Sequence, residues 1–278
     1  MTPKDIVIFI EGSEGRDERL AFAAALATLW KAHLIVTFVP PRITLNRHAS
    51  FAVGSALTSV LEQHQKDVRQ AYDDAKKSFD HLVRRGDFTG EWRAASDEVG
   101  EELMLHARHA SLAVLGPPAR ATDADTTLSL SEDVIFASGR PSLMVPIDWP
   151  AHRIPQRIVI GWNAGREATR AIAGAMPLLV AAQDVRVVVV PDAKVEGLHG
   201  VDPGADISHH LARHGVPVEL EQHEGTDAGA VLLDRCQALD ADLLVMGAVG
   251  RSKISEFVFG GATRTVLGAA GLPIFLAG

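Results

Sequence analysis

Short, largely apolar runs alternate along the chain with longer stretches whose apolar residues recur every three or four positions. The runs are Ile6-Val7-Ile8-Phe9-Ile10, residues 33–39, Leu112-Ala113-Val114-Leu115, residues 142–147, Ile158-Val159-Ile160, residues 185–190, Leu243-Leu244-Val245-Met246 and Pro273-Ile274-Phe275-Leu276. A run without a polar face fits a parallel strand covered by helices on both sides. Residues 88–93 and 216–221 read as weaker strands. The helical spacing covers residues 16–30, 51–85, 96–110, 130–137, 167–181, 206–214 and 228–239. In the longest of these, Leu57, Val60, Leu61, Val68, Tyr72, Phe79 and Leu82 form the stripe.

The pattern occurs twice. Ile158-Val159-Ile160 restarts what Ile6-Val7-Ile8 began, and Asn163 falls where Glu11 stood. Gly116 matches Gly247, and Gly139-Arg140-Pro141-Ser142 matches Gly271-Leu272-Pro273-Ile274. Trp149 to Pro155, bounded by prolines, reads as a linker. The prediction is an α/β protein of two tandem domains, residues 1–149 and 155–278, with right-handed crossovers placing helices on both sheet faces. The last strands of the two halves would be apolar sheet edges if the halves stood apart. Pairing them would make the single chain a pseudo-dimer, and two chains could associate further as a homodimer.

Composition narrows the classes. With 47% hydrophobic and 22% charged residues the chain can build a large core. Lys plus Arg is 27 against 35 Asp plus Glu, a net charge of −8 with no basic block, which argues against a nucleic-acid partner. The apolar runs are too short for a membrane span. A single cysteine, Cys236, excludes an intramolecular disulfide and reads as a buried structural thiol, and with no targeting signal visible the expected home is the cytoplasm.

Candidate chemistry concentrates in Leu243 to Leu267. A buried strand ending at Met246 meets Gly247, then Val249-Gly250, and after nine residues Gly260-Gly261-Ala262-Thr263 opens a helix. Glycines let the backbone approach a phosphate, and the free N–H groups of a helix start point at it. A ligand of such a sheet belongs at the carboxyl ends of the strands, where Gly161-Trp162-Asn163 and Val190 also end up. The matching loop of the first half, Gly116-Pro117-Pro118-Ala119-Arg120, lacks N–H donors at its prolines, and Asp123 and Asp125 add like charge. One competent pocket and one degenerate one are expected.

At these residues the chain resembles the universal stress protein family in its tandem form, because Gly247-x2-Gly250-x9-Gly260, the helix after it and the Leu272-Pro273-Ile274 strand repeat that family's nucleotide signature in spacing. The resemblance implies a Rossmann-like, adenine nucleotide alpha hydrolase-like fold: two five-stranded parallel sheets of strand order 3-2-1-4-5. It also implies ATP, possibly with Mg2+, as ligand. Gly247, Gly250 and Gly260 would give backbone contacts to phosphate or ribose, Thr263 a hydroxyl, and Val190 a backbone contact to adenine. Asn163 stands where ATP-binding relatives often have Asp, and Gly261 where the family has Ser or Thr.

Enzyme motifs are incomplete. The segment Gly247 to Lys253 lacks the glycine that a Walker A loop needs before its lysine. Glu11-Gly12-Ser13-Glu14-Gly15 lacks the first glycine of a nucleophile elbow. His210 and His214 are spaced for zinc, but no further ligand stands near, so they and His209, His106 and His109 read as solvent-facing. The expectation is a stress-response module binding an adenine nucleotide in its second half, not an enzyme beyond slow incidental ATP hydrolysis, with unknown protein partners. The alternative is a nucleotide-independent protein of the same fold acting through dimerisation and partners.

Overall fold

The computed structural model describes residues 2–11, 14–40, 55–95, 101–118, 130–191, 202–248 and 260–278. The first half runs β1 (Asp5–Ile10), α1 (Arg16–Trp30), β2 (His33–Phe38), α2 (Ser55–Arg85), β3 (Thr89–Ala94), α3 (Glu101–Arg108), β4 (Leu112–Leu115), α4 (Leu130–Ala137) and β5 (Ser142–Met144). The second runs β6 (Arg157–Trp162), α5 (Arg166–Ala181), β7 (Asp184–Val189), α6 (Ala205–Arg213), β8 (Val218–Gln222), α7 (Ala228–Ala238), β9 (Leu243–Gly247), α8 (Gly261–Ala269) and β10 (Ile274–Ala277).

Among the described residues ten strands join one sheet in the order β3-β2-β1-β4-β5-β10-β9-β6-β7-β8. Each half therefore has the order 3-2-1-4-5, with parallel neighbours throughout. The halves meet at an antiparallel seam in which Leu143 of β5 faces Phe275 of β10. The seam removes the two apolar edges. What remains at the outer rims is β3 and β8, which carry Glu91, Arg93, Glu219 and Glu221; charged, half-covered strands resist edge-to-edge pairing.

The apolar runs are buried because helices cover both faces. Ile6, Val7, Ile8, Val159, Ile160, Leu244 and Val245 are all essentially inaccessible. At the seam, a side-chain carbon on Gly174 of α5 would lie 2.8 Å from Pro141, so helix and partner half are in direct contact. Residues 149–155 are less of a free linker than their prolines suggest. Trp149 Nε1 donates to the Arg153 carbonyl at 3.2 Å, the Arg153 guanidinium lies 4.8 Å from the Trp149 ring centre, and Arg153 pairs with buried Asp242 at 2.6 Å. Asp242 also accepts the N–H groups of Gln156 and Arg157, both at 3.0 Å. Burial alone would raise its pKa, yet these bonds and Arg153 hold it below the usual carboxylate value.

Three expectations need correcting. The last strand of the first half stops at Met144 rather than 147, since Pro146 has no N–H to offer a ladder. Helix α3 ends at Arg108; the expected opening at residues 96–100 lies outside the described residues. His106 is half-buried rather than solvent-facing, with its Nδ1 3.1 Å from the hydroxyl of fully buried Thr37. Cys236 is buried as expected, and burial pushes its thiol pKa up to about 12.

Candidate functional site

β6 is the switch strand of the second half, with β7 on one side and β9 on the other. Parallel register carries the carboxyl ends of all three to one crest: Trp162 pairs with Val189, and Gly247 with Ala277 of β10. Gly161, Trp162, Asn163, Val190, Met246, Gly247, Gly260, Gly261, Ala262 and Thr263 lie at the ends of β6, β7 and β9 or at the start of α8. Val249 and Gly250 lie outside the described residues.

The chemistry each residue offers differs from what spacing alone implies. Asn163 is exposed, and its Oδ1 accepts the Gly165 N–H at 2.9 Å, which builds the turn into α5. That bond fixes which way the carboxamide faces. Thr263 is 3% exposed, and its hydroxyl donates at 3.4 Å to the Gly247 carbonyl. The first half repeats this contact: Ser131 at the start of α4 donates to the Gly116 carbonyl at 2.9 Å. A hydroxyl that ties the fourth helix to the end of the fourth strand is therefore part of the architecture of both halves. Met246 is buried in β9, while Trp162 and Val190 are half-buried against the core.

Two of the glycines have packing reasons. A Cβ on Gly247 would lie 2.8 Å from the backbone nitrogen of Ala168 and from Glu167 Cβ, so α5 starts directly against the end of β9. A Cβ on Gly161 would meet Leu232 of α7 at 2.7 Å. Gly261 is the opposite case: among the described residues nothing lies within 4 Å of its Cβ position, and it is exposed. Among the described residues no side chain caps the α8 start, with Gly260 at the N-cap. The α7 start is capped by Asp227, which accepts from Gly229 N at 2.8 Å and Ala230 N at 3.3 Å. Asp227 also accepts the Thr265 hydroxyl of α8 at 2.9 Å. The Thr265 bond, with the two N–H bonds, keeps its pKa below the ordinary value. Sequence reasoning missed this lock between α7 and α8; an Asp before a helical stretch signals a cap, but nothing in the spacing signals the partner on α8.

The first-half crest is closed by a side chain that the motif search also missed. Arg19 of α1 is 2% exposed, and its guanidinium carbon lies 3.0 Å from where a Gly116 Cβ would stand. Burial lowers the Arg19 pKa, with Glu11 and Glu18 opposing that shift. The space at the end of β4 that corresponds to Gly247 is filled by a cation of the chain itself. The rest of that loop, residues 119–129, lies outside the described residues. Among the described residues no group of three or more His, Cys, Asp and Glu is placed to hold a metal ion, and no helix is long and apolar enough to cross a membrane.

The doubled sheet and its switch-point crest define a tandem Rossmann-like α/β protein. Residues 155–277, most of the second half, match the Universal stress protein family. Over 62 residues the chain is 36% identical to a universal stress protein of Mycolicibacterium smegmatis, a stretch covering 22% of this chain and about half, 48%, of that relative. The whole fold is similar to the crystal structure of a universal stress protein from Archaeoglobus fulgidus, with a TM-score of 0.71 at 15% identity over 98% of this chain and 95% of that one. A Pseudomonas aeruginosa protein of unknown function gives a TM-score of 0.61 at 15% identity, covering 99% and 92%. At such identities the likeness is one of fold, and it spans both halves.

Proposed function

We propose that this chain is a stress-response module that binds ATP or a related adenine nucleotide at the crest of its second half, one nucleotide per chain. The observation carrying the reading is the start of α8: among the described residues this helix N-terminus has no side-chain cap and nothing within 4 Å of the Gly261 Cβ position, and Thr263 ties it to the end of β9. Such a start offers unpaired N–H groups and a favourable dipole to phosphate. Val190 and Trp162 supply apolar surface for a base. The Arg19 guanidinium against Gly116 supports a stoichiometry of one, since a phosphate in the first half would have to displace it.

The second reading, a nucleotide-independent interaction protein, is favoured by the packing at Gly161 and Gly247, which accounts for both glycines without a ligand. Titration calorimetry with ATP and Mg2+ separates the two. The variant Gly261→Asp places a carboxylate at a helix N-terminus, where no described residue lies within 4 Å of its Cβ and the dipole favours it, yet it would repel a phosphate. Binding by the parent at one site per chain, weakened about tenfold or more in Gly261→Asp, supports the nucleotide reading. No heat in the parent would leave the partner-binding reading standing. Hydrolysis stays slow and incidental on this reading, because neither a Walker A loop nor a nucleophile elbow is complete.

A further inference from the structure

Helix α6 packs against β8, the outermost strand of the second half. It turns Leu211, fully buried, and Ile207, partly buried, toward the core. His210 and His214 fall one turn apart on the flank of that stripe, and both are exposed. The end of the helix that carries them is fixed. Gly215, at φ 82, lets the chain reverse; its N–H donates to the Ala212 carbonyl at 2.9 Å, and the Val216 N–H to the Leu211 carbonyl at 3.1 Å. This pair of bonds closes a helix through a left-handed glycine. Val216 is 4% exposed, so the closing turn is anchored in the core. His214, the C-cap residue, therefore presents its ring from a held backbone.

The two ring centres lie 4.7 Å apart, with their planes at 63°. A shared metal ion would set that separation. An ion about 2.0–2.1 Å from each ring nitrogen stands about 3.2 Å from each ring centre, and a bond angle of about 90–110° then places the centres about 4.5–5.2 Å apart. The charge around the pair suits a cation. A helix C-terminus carries the negative end of the dipole, and Asp206 stands one turn before His210. Arg213 opposes, but it is exposed and its long stem keeps the guanidinium in water. Among the described residues no third His, Cys, Asp or Glu completes a larger ligand set, so water takes the remaining positions. Imidazole suits zinc, nickel and copper, whereas Mg2+ and Ca2+ take oxygen ligands.

We propose that His210 and His214 form a two-imidazole chelate for a divalent transition metal ion of the zinc, nickel or copper kind. The bound ion ties the C-cap of α6 to the turn before it. The site shares no residue with the α8 start and is independent of the nucleotide reading.

The test is calorimetric titration of the untagged full chain, stripped of metal beforehand, with Zn2+, for the parent, His210→Asn, His214→Asn and His209→Asn, with a melting curve for each. His209 is also exposed but points about 100° around the helix from His210, which makes it the control. The parent is expected to bind one Zn2+ at this site well below millimolar concentration, and excess Mg2+ does not displace it. Loss of either ring removes the chelate and weakens binding about tenfold or more, while His209→Asn binds as the parent does. Cu2+ on the parent shows two coordinated imidazoles by electron paramagnetic resonance, and one on either variant. Equal Zn2+ affinity in the parent, His210→Asn and His214→Asn overturns the proposal. So does an absence of binding by the parent below millimolar Zn2+, or displacement of the ion by Mg2+.

Discussion

Gly261 is the residue at which a single hydroxyl tests the nucleotide reading most sharply. It is the first residue of α8, its backbone is unstrained for an ordinary residue, and no described residue lies within 4 Å of its Cβ position. Gly261→Ser therefore adds a side chain without a clash, and loss of backbone freedom in the unfolded chain favours the variant slightly. A hydroxyl donating to a charged phosphate contributes about 1.5–3 kcal/mol, which at about 1.4 kcal/mol per decade is about a tenfold to a hundredfold gain in affinity. Immobilising the serine rotamer subtracts a few tenths of that. The assay is titration calorimetry with ATP and Mg2+, alongside a melting curve to establish that the fold is unchanged. A variant that melts with the parent yet binds no more tightly would refute the placement of phosphate at the α8 start.

Three further outcomes follow from the packing. Gly247→Ala pushes a methyl group against the α5 backbone at 2.8 Å and is expected to cost about 1–3 kcal/mol of stability, read as a lower urea midpoint, whether or not nucleotide is present. Asp242→Ala leaves the N–H groups of Gln156 and Arg157 and the Arg153 guanidinium without their acceptor, a loss of about 2–4 kcal/mol. Because the folded pKa of Asp242 is depressed, its contribution is present above the unfolded value of about 3.9 and is lost as pH falls through the lower folded value. The parent's stability should drop more steeply than that of Asp242→Ala below about pH 4, and parallel acid curves would remove Asp242 from that role. Cys236, 4% exposed with its thiol pKa pushed up to about 12, should resist a thiol reagent in the native protein at pH 8 and react once in denaturant; fast native labelling would contradict the burial.

Much of the fold was legible because burial on both sheet faces leaves a local trace. Ile6 to Ile10 and Leu243 to Met246 admit no polar residue, and no other element accounts for such short unbroken runs between helical stripes. The candidate site was legible only as spacing. Gly247 and Gly261 look alike along the chain, yet α5 lies on the first while no described residue comes within 4 Å of the second's Cβ position. Thr263, read from spacing as a phosphate hydroxyl, also ties α8 to Gly247 in the way Ser131 ties α4 to Gly116, which spacing does not show. Trp149 to Pro155 reads as a tether, since the acceptor that holds it, Asp242, stands far away in sequence.

The sequence alone determined the doubled α/β architecture and, through its family resemblance, the strand order, and it singled out the glycines of the second-half crest, because periodicity and glycine placement are properties of neighbouring residues. Tertiary structure decided the antiparallel seam that makes one sheet of two, the Arg19 side chain that closes the first crest, and the Asp227 carboxylate that locks α7 to α8 in the second half. Those depend on which side chains share a few ångströms of space after the crossovers are made, and residues brought together by crossovers leave no periodic signal in the chain that carries them.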